Sequence, residues 1–399
     1  MALDFELSDE QKLVQATTRE ILQRFTPRRD AFREEIRREK RYPQALWDAL
    51  AEAGLMGSLV PEEYGGSGMG LLAMVLALEE LGRDGLGGNT LMILTGMDAL
   101  CIVRNGSEEL KRRFLPGIAS GKLKLSFAIT EPDAGSNSFR IQTLARRDGD
   151  HYEITGSKVF ITGVDVTDYM LLVTRTTSYP DVVREGLPKA AGFSLFLVPT
   201  DAPGLEKRKL PMRGIEGHHQ FLLFFDRVRV PAANLVGKEG AGAEALFNSL
   251  NPERILAAAS SCGTTAYLLD RACEYARERR VFGDRPIGAY QGLAHPLAEA
   301  RIELDGARLL TYRAAWAFDR GEPPPVVGAY ANMAKFVAAE VGIKAADRAI
   351  ETLGGYGFSE EYGIIHAWEG ARLLRTAPVS REMILNFIAE HVLELPRSY

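Results

Sequence analysis

Cysteine, tryptophan and histidine are scarce in this chain. Three cysteines (Cys101, Cys262, Cys273), three tryptophans and six histidines occur in 399 residues. The cysteines lack the spacing of a metal clamp or a redox pair, which excludes a disulfide scaffold and fits a reducing compartment. Long apolar runs are missing: no stretch approaches the roughly 20 residues a membrane helix needs. Charge of one sign is not concentrated either. The 48 Lys and Arg against 53 Asp and Glu leave a net −5, so neither nucleic acid nor a membrane surface is an expected partner. Residues Met1–Leu7 have neither the basic-then-apolar layout of a signal peptide nor an Arg-rich transit pattern, so a cytoplasmic location is expected.

What the chain does have is an ordinary globular balance, 46% hydrophobic and 25% charged, and a length that predicts two or three domains. Residues 1–122 read as helical. Ser8 with Gln11 forms a capping box, Leu46, Ala49, Leu50 and Ala53 keep helical spacing, and further helices are expected over Leu71–Leu81 and Leu91–Val103. Residues 123–236 change to short β-rich runs such as Tyr169–Thr174, Phe193–Val198 and Phe221–Val230, punctuated by Gly and Pro. Residues 237–399 return to long helices, including Leu256–Arg280 and Gln291–Arg320. The predicted class is α+β, with an antiparallel β-domain between two helical lobes.

Two blocks in the β region carry the chemistry. Phe127-Ala-Ile-Thr-Glu-Pro-Asp-Ala-Gly-Ser-Asn-Ser138 and Ile154-Thr-Gly-Ser-Lys-Val-Phe-Ile-Thr-Gly163 each join a strand to a turn of small and hydroxylated residues. Such turns let the main chain approach a flat or phosphorylated ligand. Phe160 and Thr162 alternate around Ile161, so a ring and a hydroxyl are expected on one strand face. On shape alone, two β-turns in a sandwich explain the blocks equally well.

These blocks, together with Tyr275–Gln291 and Leu353-Gly-Gly-Tyr-Gly-Phe358, resemble the acyl-CoA dehydrogenases, in that family's order and over about Phe5–Leu395. The resemblance implies a helical N-terminal domain, a central β-domain and a C-terminal four-helix bundle. It also implies FAD, an acyl-CoA substrate, an electron-transferring flavoprotein as acceptor, and a homotetramer or dimer. No metal is implied. By position, Phe127, Ile129, Thr130, Gly135, Ser136, Phe160, Thr162 and Ser380 match flavin contacts. Arg279, Phe282 and Gln291 match residues that reach a neighbouring subunit's FAD, while Glu351, Gly354 and Gly355 match its diphosphate neighbourhood. Ser136, Asn251 and Arg254 match substrate contacts.

The reaction implied needs a carboxylate base on the face of the substrate opposite the flavin. The spacing many relatives use, counted from Gly354, lands on Pro378, which can be no base and offers no N–H to a thioester oxygen. A subgroup that includes isovaleryl-CoA and long-chain dehydrogenases instead places the base on a helix directly before an Arg. Here that position is Glu253, in Asn251-Pro-Glu-Arg254. Pro252 predicts a helix starting or kinking there, with Asn251 as cap and Glu253 in the first turn. A surface Glu satisfying the helix dipole is the competing explanation. His218 and His219 are expected in an exposed turn. Related flavin chemistry on the same fold, as in an enoyl-CoA reductase, acyl-CoA oxidase or flavin monooxygenase, stays open at this point, as does a flavin-binding scaffold without activity.

Overall fold

The computed structural model describes residues 6–87 and 89–397. Its first third is helical: α1 (Asp9–Arg24), α2 (Arg29–Arg37), α3 (Gln44–Glu52), α4 (Leu71–Asp84), α5 (Thr90–Asn105) and α6 (Glu108–Ala119). The predicted capping box opens α1, with the Ser8 hydroxyl accepting from Gln11 N–H and the Gln11 side chain accepting from Ser8 N–H. Helices α4 and α5 are buried on nearly every face. Both therefore act as core rather than as an amphipathic surface layer.

The middle third is one sheet. Its strands are β1 (Leu125–Ala128), β2 (Leu144–Asp148), β3 (His151–Thr162) and β4 (Tyr169–Arg175), then, after the short helix α7 (Tyr179–Arg184), β5 (Phe193–Pro199), β6 (Leu205–Leu210), β7 (Gln220–Pro231) and β8 (Leu235–Val236). The spatial order is β6-β7-β3-β2-β4-β5-β8, with β1 laid beside β4. The expected antiparallel pairing holds along β6-β7-β3-β2 and β4-β5-β8. Strands β1 and β2 instead run parallel to β4, with Leu125 opposite Tyr169 and Leu144 opposite Arg175. A parallel pair needs a crossover, and the β2–β3 hairpin supplies the chain length for it.

The last third holds α8 (Ala243–Glu278), the hairpin β9 (Arg280–Val281) and β10 (Arg285–Pro286), α9 (Gln291–Asp319), α10 (Pro324–Leu353), α11 (Ile364–Leu374) and α12 (Arg381–His391). Helices α8, α9 and α10 pack side by side, and α11 lies across α8 and α10. Contrary to the expectation that no stretch approaches a membrane helix, Pro324–Phe358 is, among the described residues, long and apolar enough by length and composition to cross one. It packs between α8 and α9 as core.

Helix α8 is the spine that joins the lobes, and small residues let it serve. Ala257–Gly263 are all buried. A Cβ on Gly263 would sit 2.2 Å from the Glu79 carbonyl oxygen, and one on Gly82 would sit 2.7 Å from that of Ser260. The two backbones therefore touch, and α4 can lie directly on α8. Gly263→Val should force them apart and cost at least about 2 kcal/mol of stability, read as a lowered thermal midpoint in calorimetry.

Candidate active site

A cleft of about 1490 Å³ opens where the sheet, α5, α8 and the α11–α12 segment meet. That exceeds the roughly 300–1,000 Å³ of an ordinary small-molecule pocket, leaving room for two large ligands.

One wall is built from the two β blocks. Phe127, Ile129, Thr130, Gly135 and Ser136 line it from the end of β1 and the turn beyond, and Phe160 and Thr162 from β3. A buried ion pair ties the blocks together. Lys158 Nζ lies 2.8 Å from Glu131 Oε1 and 2.8 Å from the Ile129 carbonyl oxygen. Glu131 also accepts from the N–H groups of Gln142 (2.6 Å) and Thr143 (2.9 Å). Burial pushes the Lys158 ammonium down to about 8, against the pull of Glu131. Burial would raise Glu131, but Lys158 and the Thr143 and Gln142 donors outweigh it and hold the carboxylate below its usual range.

Arg175, buried on β4, steadies the next loop, donating to the carbonyls of Ile141 (3.0 Å), Phe139 (2.5 Å), Ala191 (2.6 Å) and Lys189 (3.0 Å). Phe160 sits at a register shift in β3 with φ of +60°, a conformation costing about 1–3 kcal/mol and concentrated at functional sites. Its ring is 54% exposed and faces the cleft. Ile161 beside it is buried, and the Thr162 hydroxyl is fixed by Gln220 Nε2 at 2.7 Å. The predicted ring-and-hydroxyl pair is therefore present, displayed by a bulge rather than by regular alternation. An exposed ring, a fixed hydroxyl and a turn of small residues on one wall fit a flat heterocycle.

The opposite wall is α8, and here the structure corrects the sequence reading. The helix begins at Ala243, not at Pro252. Asn251 is no cap and Glu253 is not in a first turn, so the helix dipole does not act on it. Packing tolerates a proline inside the helix that propensity alone would place at its start. Glu253 is walled by protein yet keeps an edge open to the cleft. Burial raises its carboxyl to about 7, against the opposing pull of Arg254 and Lys335.

Arg254 and Asn251 line the cleft as well, and Arg254 Nη1 donates to Asn251 Oδ1 at 2.8 Å. Pro378 and Ser380 close the same cleft from the segment before α12, and the Ser380 hydroxyl accepts from Met383 N–H as that helix's cap.

Two groups escaped the sequence reading. Lys335 is 2% exposed and donates to the Val379 carbonyl at 2.6 Å. Burial and the neighbouring Arg254 lower it to about 8, while Glu253 pulls it up. Asp98 on α5 is fully buried, 3.5 Å from the Ser249 hydroxyl. Burial, and then the nearby Glu253, raise its carboxyl well above the usual range. A lone Lys in the apolar run Ala334–Ala339 and a lone Asp in Leu91–Ile102 were the available signals.

His218 also departs from expectation. It is buried and packed against the Tyr42 ring at 5.4 Å, with Nδ1 2.7 Å from the Glu216 carbonyl oxygen. Burial lowers it to about 4, so it stays neutral. His219 alone keeps a solvent edge, 2.9 Å from Asp165.

The remaining predicted residues lie outside the cleft. Arg279, Phe282, Gln291, Glu351, Gly354 and Gly355 are all exposed, around the β9–β10 hairpin and the C-terminal end of α10. Phe282 is 96% exposed. Glu351 pairs with Arg348 within the chain.

Known proteins match this architecture throughout. Family models described as the N-terminal, middle and C-terminal domains of acyl-CoA dehydrogenase match residues 8–122, 126–228 and 240–393. Acyl-CoA dehydrogenase FadE12 of Mycobacterium tuberculosis is 44% identical over 362 residues, 91% of either chain. The solved butyryl-CoA dehydrogenase of Megasphaera elsdenii superposes with a TM-score of 0.90 at 29% identity, covering 98% of this chain and 100% of that one. A glutaryl-coenzyme A dehydrogenase in complex with glutaryl-CoA gives 0.90 at 32% identity, covering 99% and 98%. The chain belongs to the acyl-CoA dehydrogenase family, flavoprotein oxidoreductases that act on CH–CH bonds.

The clamp between the two blocks generates a test. Lys158→Met leaves the Glu131 carboxylate buried and unpaired and should cost about 3–5 kcal/mol, seen as a lower midpoint in urea unfolding.

Proposed function

We infer that this chain is an FAD-dependent acyl-CoA dehydrogenase in which Glu253 removes the Cα proton of an acyl-CoA thioester. The observation that carries the reading is a cleft-facing carboxylate on α8, raised by burial to about 7. A base whose pKa lies near the working pH combines availability with driving force. FAD, once bound, supplies the acceptor for the hydride leaving Cβ. Phe160 and Thr162 seat its ring, Ser380 and Ser136 border it, and Glu253 works from the facing wall. Arg254 and Asn251 guide the thioester arm towards Glu253, and burial keeps water from competing for the proton.

The exposed set around Arg279, Phe282, Gln291, Glu351, Gly354 and Gly355 serves the FAD of a neighbouring subunit. Large apolar side chains left in water nearby support this: Phe282, Tyr356 and Phe358, with Ile302 and Leu309 on one face of α9. Patches of this kind mark association surfaces. A homotetramer is the assembly proposed, and an electron-transferring flavoprotein, in the cytoplasm, takes the electrons. Pro378 favours a second reading, in which the same seat runs related flavin chemistry. It lines the cleft and has no N–H to offer a thioester oxygen, a donor worth about 3 kcal/mol elsewhere. Rapid reaction of the reduced protein with oxygen would favour that alternative.

Two outcomes are expected. Glu253→Gln should still bind acyl-CoA while anaerobic flavin bleaching slows by about 10²–10⁴-fold; an undiminished rate in stopped flow would remove Glu253 from the role. The base must be ionised, so kcat/KM should fall about tenfold per pH unit below about 7 and level off above it. Initial rates across pH check this.

A further inference from the structure

Helix α10 turns one narrow stripe towards Glu253. Gly328 and Asn332 line the cleft from it, and Lys335 comes next at the helical spacing of that stripe. Two contacts fix how the stripe lies on α8. A Cβ on Gly328 would stand 3.8 Å from the Asn251 side chain, and Ser261 Oγ donates to the Ala338 carbonyl at 2.9 Å. The two helices therefore run side by side in one direction, with Lys335 about level with Ala258. A helical side chain leans over the turn N-terminal to its own Cα, which carries the Lys335 ammonium back towards Glu253 and Arg254.

The ammonium is 2% exposed, and among the described residues its hydrogen bond goes to the Val379 carbonyl at 2.6 Å. Val379 lines the cleft between Pro378 and Ser380, so this bond holds that wall from behind. Glu340 clamps both ends of the same segment, taking Arg375 Nε at 2.7 Å and Arg381 Nε at 3.2 Å.

The carboxylates that act on Lys335 differ in what else they meet. Glu340 is already matched by those two arginines. Glu382 on α12 has a side chain 72% exposed, with Arg381 at 3.8 Å, so water and a nearer cation screen it. Glu253 on α8 is the buried one left. Asp98 faces Glu253 from α5, and burial pushes it towards its neutral form. Arg254 turns its Nη1 to Asn251 Oδ1 at 2.8 Å and meets Lys335 as a like charge. A cation held in a buried site favours the ionised form of a nearby carboxylate.

We propose that Lys335 is a positioning residue for the reaction, fixing the Val379 end of the Pro378–Ser380 wall while its ammonium keeps the Glu253 carboxylate available as base. This rests on the dehydrogenase reading above, which makes Glu253 the base. Neither action needs Lys335 to touch the substrate, and Lys335 does not line the cleft.

Three FAD-loaded variants test it. Lys335→Met removes charge and hydrogen bond, Lys335→Gln removes the charge but keeps a donor for the Val379 carbonyl, and Lys335→Arg keeps both. In the two neutral variants the acid limb of kcat/KM should move up by about one pH unit, leaving the rate at about pH 6 about tenfold below that of the parent protein. Lys335→Arg should leave the limb in place. On the alkaline plateau Lys335→Met should run about fivefold below Lys335→Gln, since it alone frees Val379. An unmoved limb in the neutral variants, a limb moved as far by Lys335→Arg, or equal plateaus for Met and Gln would each overturn the proposal. Should Lys335→Met misfold, Lys335→Gln still carries the limb comparison. Infrared difference titration without substrate gives a reading free of turnover. The Glu253 carboxyl band, identified by its loss in Glu253→Gln, should protonate about one pH unit higher in Lys335→Gln. If Glu253→Gln turns over at the full rate, the dehydrogenase reading loses its base, while the band still decides whether Lys335 sets the charge of Glu253.

Discussion

Everything on the β-sheet wall of the cleft depends on one buried contact, Lys158 with Glu131. The two sequence blocks that form that wall belong to different strands, and β1 and β3 reach the cleft by separate routes. The ammonium spans them, bonding to the carboxylate of one block and a carbonyl of the same turn. The carboxylate then gathers two further N–H groups from the chain leading into β2. A buried pair of this kind is a poor source of net stability, because removing two charges from water offsets most of their attraction. Its worth here is geometric: it fixes where Phe160 stands relative to Thr130 and Ser136.

The facing wall is governed by desolvation rather than by fixed pairing. Asp98, Glu253, Arg254 and Lys335 are drawn into one weakly polar region around α8, and burial moves each towards its neutral form. Glu253 and Arg254 keep an edge open to the cleft, whereas Asp98 and Lys335 are buried. Ligand entry that strips the remaining water will favour the protonated form of Glu253 further, while Arg254 and Lys335 oppose that drift. The carboxylate is thus balanced between two cations and an apolar enclosure, in contrast with Glu131, which its partners hold firmly ionised.

Much of this was legible in the sequence, and for identifiable reasons. Apolar residues located α4 and α5, which are buried on nearly every face, and α9, which buries one stripe, and Gly and Pro punctuation marked the strands. The two β blocks stood out through their own local chemistry, and both line the cleft. The misreadings share a cause, since each turned on contacts distant in sequence. Pro252 reads as a helix start or kink until α8 is seen to begin at Ala243 and run on through it, packed against α4 and α5. His218 reads as a surface residue until Tyr42 covers it and the adjacent Gly217 N–H bonds to the Ile36 carbonyl. Lys335 and Asp98 carry no motif at all, and only the fold shows that they approach Glu253. Parallel pairing of β1 with β4 was likewise invisible, because strand direction is a property of the connection and not of the strand.

That Glu253 and Tyr267 line the cleft from one unbroken helix has an evolutionary corollary. A single residue inserted between Glu253 and Tyr267 would swing the ring about 100° out of the cleft, and only insertions or deletions near whole turns would restore it. A protein built this way cannot adjust its reach smoothly. Changes in the span between the two groups would come in steps of about 5.4 Å, or else through replacement of the side chains already spaced along that face.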